Sequence, residues 1–155
     1  MQQRPTPTEI EAVSKIFTWI GIINQLSRTR ITRALKATDL PYPQFVLLTH
    51  FNHRPKEAKT ITAIARAMQQ PQPGVTKTIQ KLIKKEFLRV EESREDARAR
   101  LIYLTAKGQR AHERAVLLLV PVLKFAFEDW SEAEMNDLFL RLDKLKVWMD
   151  TKGRE

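Results

Sequence analysis

Two prolines, Pro71 and Pro73, interrupt a stretch that is periodic for helix on both sides. Neither can lie in a helix interior, because proline lacks the backbone N–H and its ring clashes with the preceding turn. Each also biases the residue before it away from helical backbone. Upstream, Ile61, Ile64, Ala65 and Met68 recur at three- and four-residue spacing, which puts them on one face of a short helix. Thr60 and Thr62 can each cap its start. Downstream, Val75, Ile79, Leu82 and Ile83 make a second apolar stripe, with Pro73 suited to the first helical position. The region is therefore constrained to two short helices joined by a sharp turn.

The outer face of the second helix carries Thr76, Lys77, Gln80, Lys81 and Lys84. Beyond it, Leu88-Arg89-Val90-Glu91 alternates apolar and charged residues as a half-exposed strand does, and Leu101-Ile102-Tyr103-Leu104 returns as a second strand. Between them lies a polar turn, Ser93 to Ala99. Arg94, Arg98 and Arg100 are interleaved there with Glu95 and Asp96. The order is that of a helix-turn-helix followed by a β-wing, the layout of a winged-helix DNA reader. On that reading Gln72, Thr76, Lys77 and Gln80 are expected to read base edges. Lys81 and Lys84 neutralise phosphates, as do Arg94 and Arg100 in the wing. An arginine on a hairpin tip can enter a minor groove, whose narrowness strengthens its negative potential. A solvated helix face and a hairpin with surface ion pairs would display the same residues.

Charge favours the first alternative. The formal net charge is +9, which suits a polyanionic partner. Residues 54–100 hold twelve Lys and Arg against six Asp and Glu, whereas residues 101–155 hold nine of each. The basic excess thus sits on the proposed reader. The chain has no cysteine, which excludes disulfides, zinc–thiolate sites and thiol redox sensing. No apolar run reaches the roughly 18 residues of a membrane span, and residues 1–30 lack a secretory pattern; a cytoplasmic location is expected.

Asp96-Ala97-Arg98-Ala99, the apolar run after Arg100 and Leu104-Thr105-Ala106-Lys107-Gly108 resemble the wing signature of the MarR family of multiple-antibiotic-resistance regulators, D-x-R-A followed by L-T-x-x-G. Pro43 to Leu48 resembles that family's second helix, Ile61 to Met68 its third, and Val75-Thr76-Lys77 with Leu82 and Lys85 its recognition helix. The resemblance implies a homodimeric, sequence-specific double-stranded DNA-binding regulator, most often a repressor released by a small aromatic effector. It implies that Arg98 enters the minor groove and that Asp96 orders the wing. Two positions depart from the pattern. Pro73-Gly74 replaces the usual hydroxyl pair at the recognition-helix start. Glu86 replaces the glycine that usually follows that helix. A left-handed backbone would strain a non-glycine residue there by about 1–2 kcal/mol, which argues for a different helix end.

The remainder of the chain reads as helical flanks. Thr6-Pro7-Thr8-Glu9 is a helix start. Apolar periodicity from Ile10 to Leu26 and the lack of breakers carry the helix to about Lys36, a length of roughly 40–45 Å. Asp39 to Pro43 breaks it, and a second helix over Gln44–Asn52 follows, with Phe45, Leu48 and Phe51 expected in the core. Arg54 to Lys59 reads as a basic connector. Thr105 caps a helix running toward Phe127, which Pro121 should kink or end, and Ser131 to Glu134 opens a final helix. The expected architecture is mainly α with a small β-hairpin wing. It is one domain over 1–155, with the winged helix-turn-helix at 40–104 and dimerisation helices at 6–37 and 105–152. The flanking helices hold more apolar surface than a monomer would hide, so a two-fold dimer through both termini is expected. Two recognition helices one DNA turn apart, about 34 Å, would match a palindromic operator. Phe17, Trp19, Phe45, His50 and Phe51 could line an effector pocket, and serve equally well as core. His50 and His53 lack a third ligand of matching kind, so no metal is expected; no cofactor and no catalytic constellation is indicated. Rival readings are a winged-helix scaffold for protein partners and a sequence-blind DNA-architectural protein.

Overall fold

The first helix begins where a reciprocal cap places it. The Thr6 hydroxyl accepts from the Glu9 amide at 3.2 Å, and the Glu9 carboxylate accepts from the Thr6 amide at 2.7 Å. In the computed structural model, which describes residues 4–92 and 100–152, α1 spans Pro7–Leu35. Thr38 closes its end, donating to the Leu35 carbonyl at 2.8 Å and accepting from the Leu40 amide at 3.1 Å. The elements that follow are α2 (Tyr42–Asn52), α3 (Ile61–Ala67), α4 (Gln72–Lys84), β1 (Leu88–Glu92), β2 (Arg100–Leu104) and α5 (Ala106–Lys124). A single 3-10 turn (Phe125–Phe127) and α6 (Glu132–Thr151) complete the described chain. The fold is mostly helical with one antiparallel hairpin, as the sequence predicts.

Helix α2 starts two residues before the predicted Gln44. Pro43 sits in its first turn, where the missing N–H has no intrahelical acceptor in any case. The same tolerance lets α4 begin at Gln72, one residue ahead of the predicted Pro73. The core lies between α2, α3, α4 and the hairpin: Leu35, Leu47, Leu48, Phe51, Ile64, Ile79, Leu82, Leu88 and Ile102 are sealed from solvent. Phe45 and Ile83, both expected in the core, are only half-buried.

In the hairpin Leu88 faces Leu104 and Glu92 faces Arg100. The connector before α3 contributes more than charge. Lys59 exchanges both backbone hydrogen bonds with Ile102, at 3.0 and 2.8 Å, adding a one-residue bridge to the outer side of β2.

The end of α4 overturns the expectation drawn from Glu86. This residue does adopt the left-handed backbone, φ +62°. The Glu86 amide donates to Ile83 at 2.8 Å and the Phe87 amide to Leu82 at 2.9 Å, the paired bonds of a Schellman end. The strain is offset by neighbours: the Thr105 hydroxyl donates to the Glu86 carbonyl at 2.7 Å, and Lys107 pairs with the Glu86 carboxylate at 2.5 Å. Helix α3 ends the same way, with Gln69 at φ +49° and the Gln70 amide donating to Ala65 at 3.0 Å.

Lys85, at the C-cap of α4, holds that helix to the α1–α2 loop. Its ammonium donates to the Asp39 carbonyl at 2.6 Å, the Asp39 carboxylate at 2.8 Å and the buried Gln44 side-chain oxygen at 2.9 Å. On the other side, Thr105 caps α5 by accepting from the Gly108 amide at 2.9 Å. Gly108 packs so closely that a Cβ would stand 2.1 Å from the Phe87 carbonyl oxygen. That contact explains glycine at this position of the L-T-x-x-G pattern. The regular part of α5 runs three residues past Pro121 to Lys124 before tightening into the 3-10 turn.

The chain divides into two compact units, Met1–Val122 and Leu123–Glu155. In the second, Ser131 and Glu134 form a reciprocal cap on α6, and Phe127 packs edge-to-face on Trp130 at 5.4 Å. Among the described residues no helix is long and apolar enough to cross a membrane.

Two stability outcomes follow from these contacts. Gly108→Ala forces its methyl against backbone and should destabilise by roughly 1–3 kcal/mol or more, whereas Gly74→Ala, with nothing within 4 Å of the added carbon, should show no loss in the same urea titration. Lys85→Met strands the buried Gln44 oxygen and should cost roughly 1–3 kcal/mol, while Asp39→Ala, which removes only an exposed carboxylate, costs far less.

Candidate nucleic-acid interface

The Thr60 hydroxyl accepts from the Ala63 amide at 3.2 Å and starts α3, whose Ile64 and Ala65 are buried. The left-handed Gln69 and the extended Pro71 then redirect the chain, and α4 begins without a side-chain cap. Val75, Ile79 and Leu82 bury one face of α4. That burial fixes which residues face outward.

Gln72, Lys77, Gln80, Lys81 and Lys84 are all exposed, and Thr76 is half-buried. The structure therefore brings the predicted reading and phosphate residues of α4 onto its open side. Helix α4 carries no carboxylate. Among the described residues none of its three exposed lysines makes an ion pair, since the salt bridges of this region belong to Lys85 and Lys107. Three uncompensated ammonium groups on one short helix form a local positive field with no internal use. Thr76 is more restricted than its residue type suggests. Its hydroxyl donates to the Gln72 carbonyl at 2.8 Å, so toward a base it can only accept. Lys85 is also basic and next in line, yet it is consumed by Asp39 and Gln44 and offers nothing outward.

In the wing, Arg100 is exposed opposite Glu92. Arg94, Asp96 and Arg98 lie outside the described residues. Sequence reasoning missed Arg89. Its guanidinium sits 4.3 Å from the Tyr103 ring centroid, directly across the hairpin, and pairs with Glu91. Arginine over an aromatic face stiffens such a pair, so Arg89 braces the wing near its base. The alternation Leu88-Arg89-Val90-Glu91 held the signal, but the register with Tyr103 was needed to read it.

The five expected pocket residues do not form a common lining. Phe51 is fully buried, Phe17 and Trp19 stand about half exposed on α1, and none of the five lines either cavity beside the start of α2. Phe45 instead stacks on His112 of α5, centroids 5.4 Å apart. His112, which no sequence pattern singles out, is buried, with Nε2 3.0 Å from the Thr49 hydroxyl and, among the described residues, no partner for Nδ1. Burial pushes its pKa down, so a neutral ring bridges α2 to α5. His50 packs edge-on to Phe51 and its pKa too is lowered, first by burial and then by the Lys59 ammonium. Among the described residues no three of His, Cys, Asp or Glu gather as metal ligands.

Comparison with known proteins agrees with this geometry. Residues 38–99 match the family model described as MarR family. No curated protein matches the chain. Among solved structures it resembles the transcriptional regulator BldR from Sulfolobus solfataricus at 21% identity and a TM-score of 0.76, covering 90% of this chain and 97% of that one. It resembles a MarR family protein from Bacillus stearothermophilus at 19% identity and a TM-score of 0.75, covering 90% and 96%. A mutant MarR from E. coli complexed with operator DNA is similar at 18% identity and a TM-score of 0.69, covering 86% and 95%. Residues 38–99, which run from the α1–α2 loop across both helices of the turn into the wing, are thus the part of the chain that matches the MarR family.

Proposed function

We propose that this protein is a sequence-specific, double-stranded DNA-binding transcriptional regulator that reads a palindromic operator as a homodimer. The observation that carries the reading is the outer face of α4, where Lys77, Lys81 and Lys84 stand exposed, without carboxylate partners among the described residues, beside the exposed amides of Gln72 and Gln80. Lysines there neutralise phosphates, and amides supply the bidentate geometry that distinguishes adenine in the major groove. Support also comes from the similar E. coli protein, which was crystallised with operator DNA. In the wing, Arg94 and Arg100 contact phosphate and Arg98 enters the minor groove.

Homodimerisation is supported by apolar surface with no internal use. Ile10, Ile16, Phe17, Trp19, Ile23 and Leu26 of α1 are each about half exposed or more. On α6 of the second unit, Phe139, Leu142 and Trp148 are likewise open. Stripes of this size are unusual on a monomer. Two readers joined through such helices meet two half-sites on one face of the duplex. The regulator acts as a repressor where its site overlaps a promoter. An aromatic effector that favours one spacing of the two readers would release it.

Two variants test the DNA reading by filter binding over a salt series. Lys81→Ala should weaken all duplexes alike and lower the salt slope by roughly one unit. Gln80→Ala should cost roughly 1–3 kcal/mol at one base pair and relax preference there. Retention that ignores salt, with both variants equal to the parent, would instead indicate a scaffold for protein partners. In sedimentation equilibrium at micromolar concentration the chain should run at twice its 18.1 kDa mass; a single 18.1 kDa species would remove the dimer.

A further inference from the structure

Gly74 lies in the first turn of α4, and nothing within the protein requires a glycine there. Its φ is not positive, and a Cβ built on it meets no atom within 4 Å. Glycine is less favourable than alanine inside a helix, so the helix itself gains nothing from it. Gly108 is the contrast, because there the Phe87 carbonyl leaves no room for a side chain. Around Gly74 the chain is open to solvent: Pro71, Gln72, Pro73 and Gly74 are all exposed, as are Lys77 and Lys81. Lys77 stands one turn along the helix edge that holds Gly74, and Lys81 one turn beyond it. The bare step is thus continuous with the lysine face of α4.

This step also has no hydrogen bond to give. The Gly74 amide donates to the Pro71 carbonyl at 3.1 Å, and the Gly74 carbonyl accepts from the Thr78 hydroxyl at 3.1 Å. Pro73 has no N–H, and Thr76 has spent its hydroxyl proton on Gln72. A phosphate or a base carbonyl seated on Pro73 and Gly74 would lose hydration without finding a donor. The hydroxyl pair usual at these two positions of the MarR pattern would supply one. Only an apolar group gains by contact here, and on the base edges of the major groove that group is the 5-methyl of thymine. We infer, on the base-reading role proposed for α4, that Pro73 and Gly74 form an apolar seat for a thymine methyl. Gly74 then determines specificity through the side chain it lacks.

The test uses the full chain and a duplex that it selects from a random-sequence pool. Each thymine of that duplex is replaced in turn by deoxyuridine, which lacks only the 5-methyl. At one thymine in each half-site the replacement should weaken binding by the parent about fourfold, the factor carried by burial of one methyl-sized group. Gly74→Ala puts a methyl where the thymine methyl would sit. It should weaken the thymine duplex about tenfold, the scale of overpacking by one such group, and should no longer distinguish thymine from deoxyuridine at that position. Urea titration verifies that the variant is as stable as the parent. A parent indifferent to every thymine methyl would overturn the assignment. So would a Gly74→Ala chain that separates thymine from deoxyuridine as the parent does, or one that weakens all duplexes alike. In each of these cases the regulator reading stands, since the parent still prefers its selected site. A parent that enriches no sequence from the pool removes the regulator reading, and the methyl seat with it.

Discussion

The carbonyl oxygen of Phe87 accepts from the amide of Thr105 at 3.1 Å, while Gly108 packs against the same peptide group. Through this one carbonyl the end of α4, the base of the wing and the first turn of α5 are held together. A side chain on residue 108 would push them apart. Lys85 restrains the same helix end from the opposite direction, through Asp39 and Gln44. The buried stripe of Val75, Ile79 and Leu82 sets the rotation of α4 about its axis, and these two ties set where the helix stops. The outward face is therefore positioned by contacts it does not make.

That separation of duties explains how the basic residues are used. Lys85 and Lys107 lie near the exposed lysines of α4 in sequence or space, yet both are engaged by oxygen partners within the fold. Arg89 is likewise committed to Tyr103 and Glu91. Among the described residues, what remains without an ion pair on α4 is Lys77, Lys81 and Lys84. Solvent screens such groups and makes their contribution to folding small, so their clustering is better understood as a surface for an anionic partner than as support for the fold.

Much of this was legible in the chain because the signals are local. The reciprocal caps at Thr6–Glu9 and Ser131–Glu134, the break at Pro71–Pro73 and the apolar stripe of α4 each depend on residues within one or two turns. The paired strands followed from alternation. Other features needed partners far away in sequence. The clamp of Lys85 on Gln44, the bridge of Lys59 to Ile102 and the stacking of Phe45 on His112 join residues that carry no mutual pattern. Aromatic residues on α1 and α2 look alike in sequence whether they seal a core, as Phe51 does, or remain open, as Trp19 does. At Glu86 local reasoning misjudged the outcome, because a strained backbone was weighed without the Thr105 hydroxyl and the Lys107 ammonium that meet it.

Both helices of the reading pair end on a residue with positive φ, and neither residue is glycine. Glutamine and glutamate occupy Gln69 and Glu86 at a conformational penalty that an achiral residue would not carry. The molecule thus keeps two sites of unrealised heat tolerance flanking its most exposed helix. Selection for survival at higher temperature would find improvement there without disturbing a single outward-facing side chain of α4.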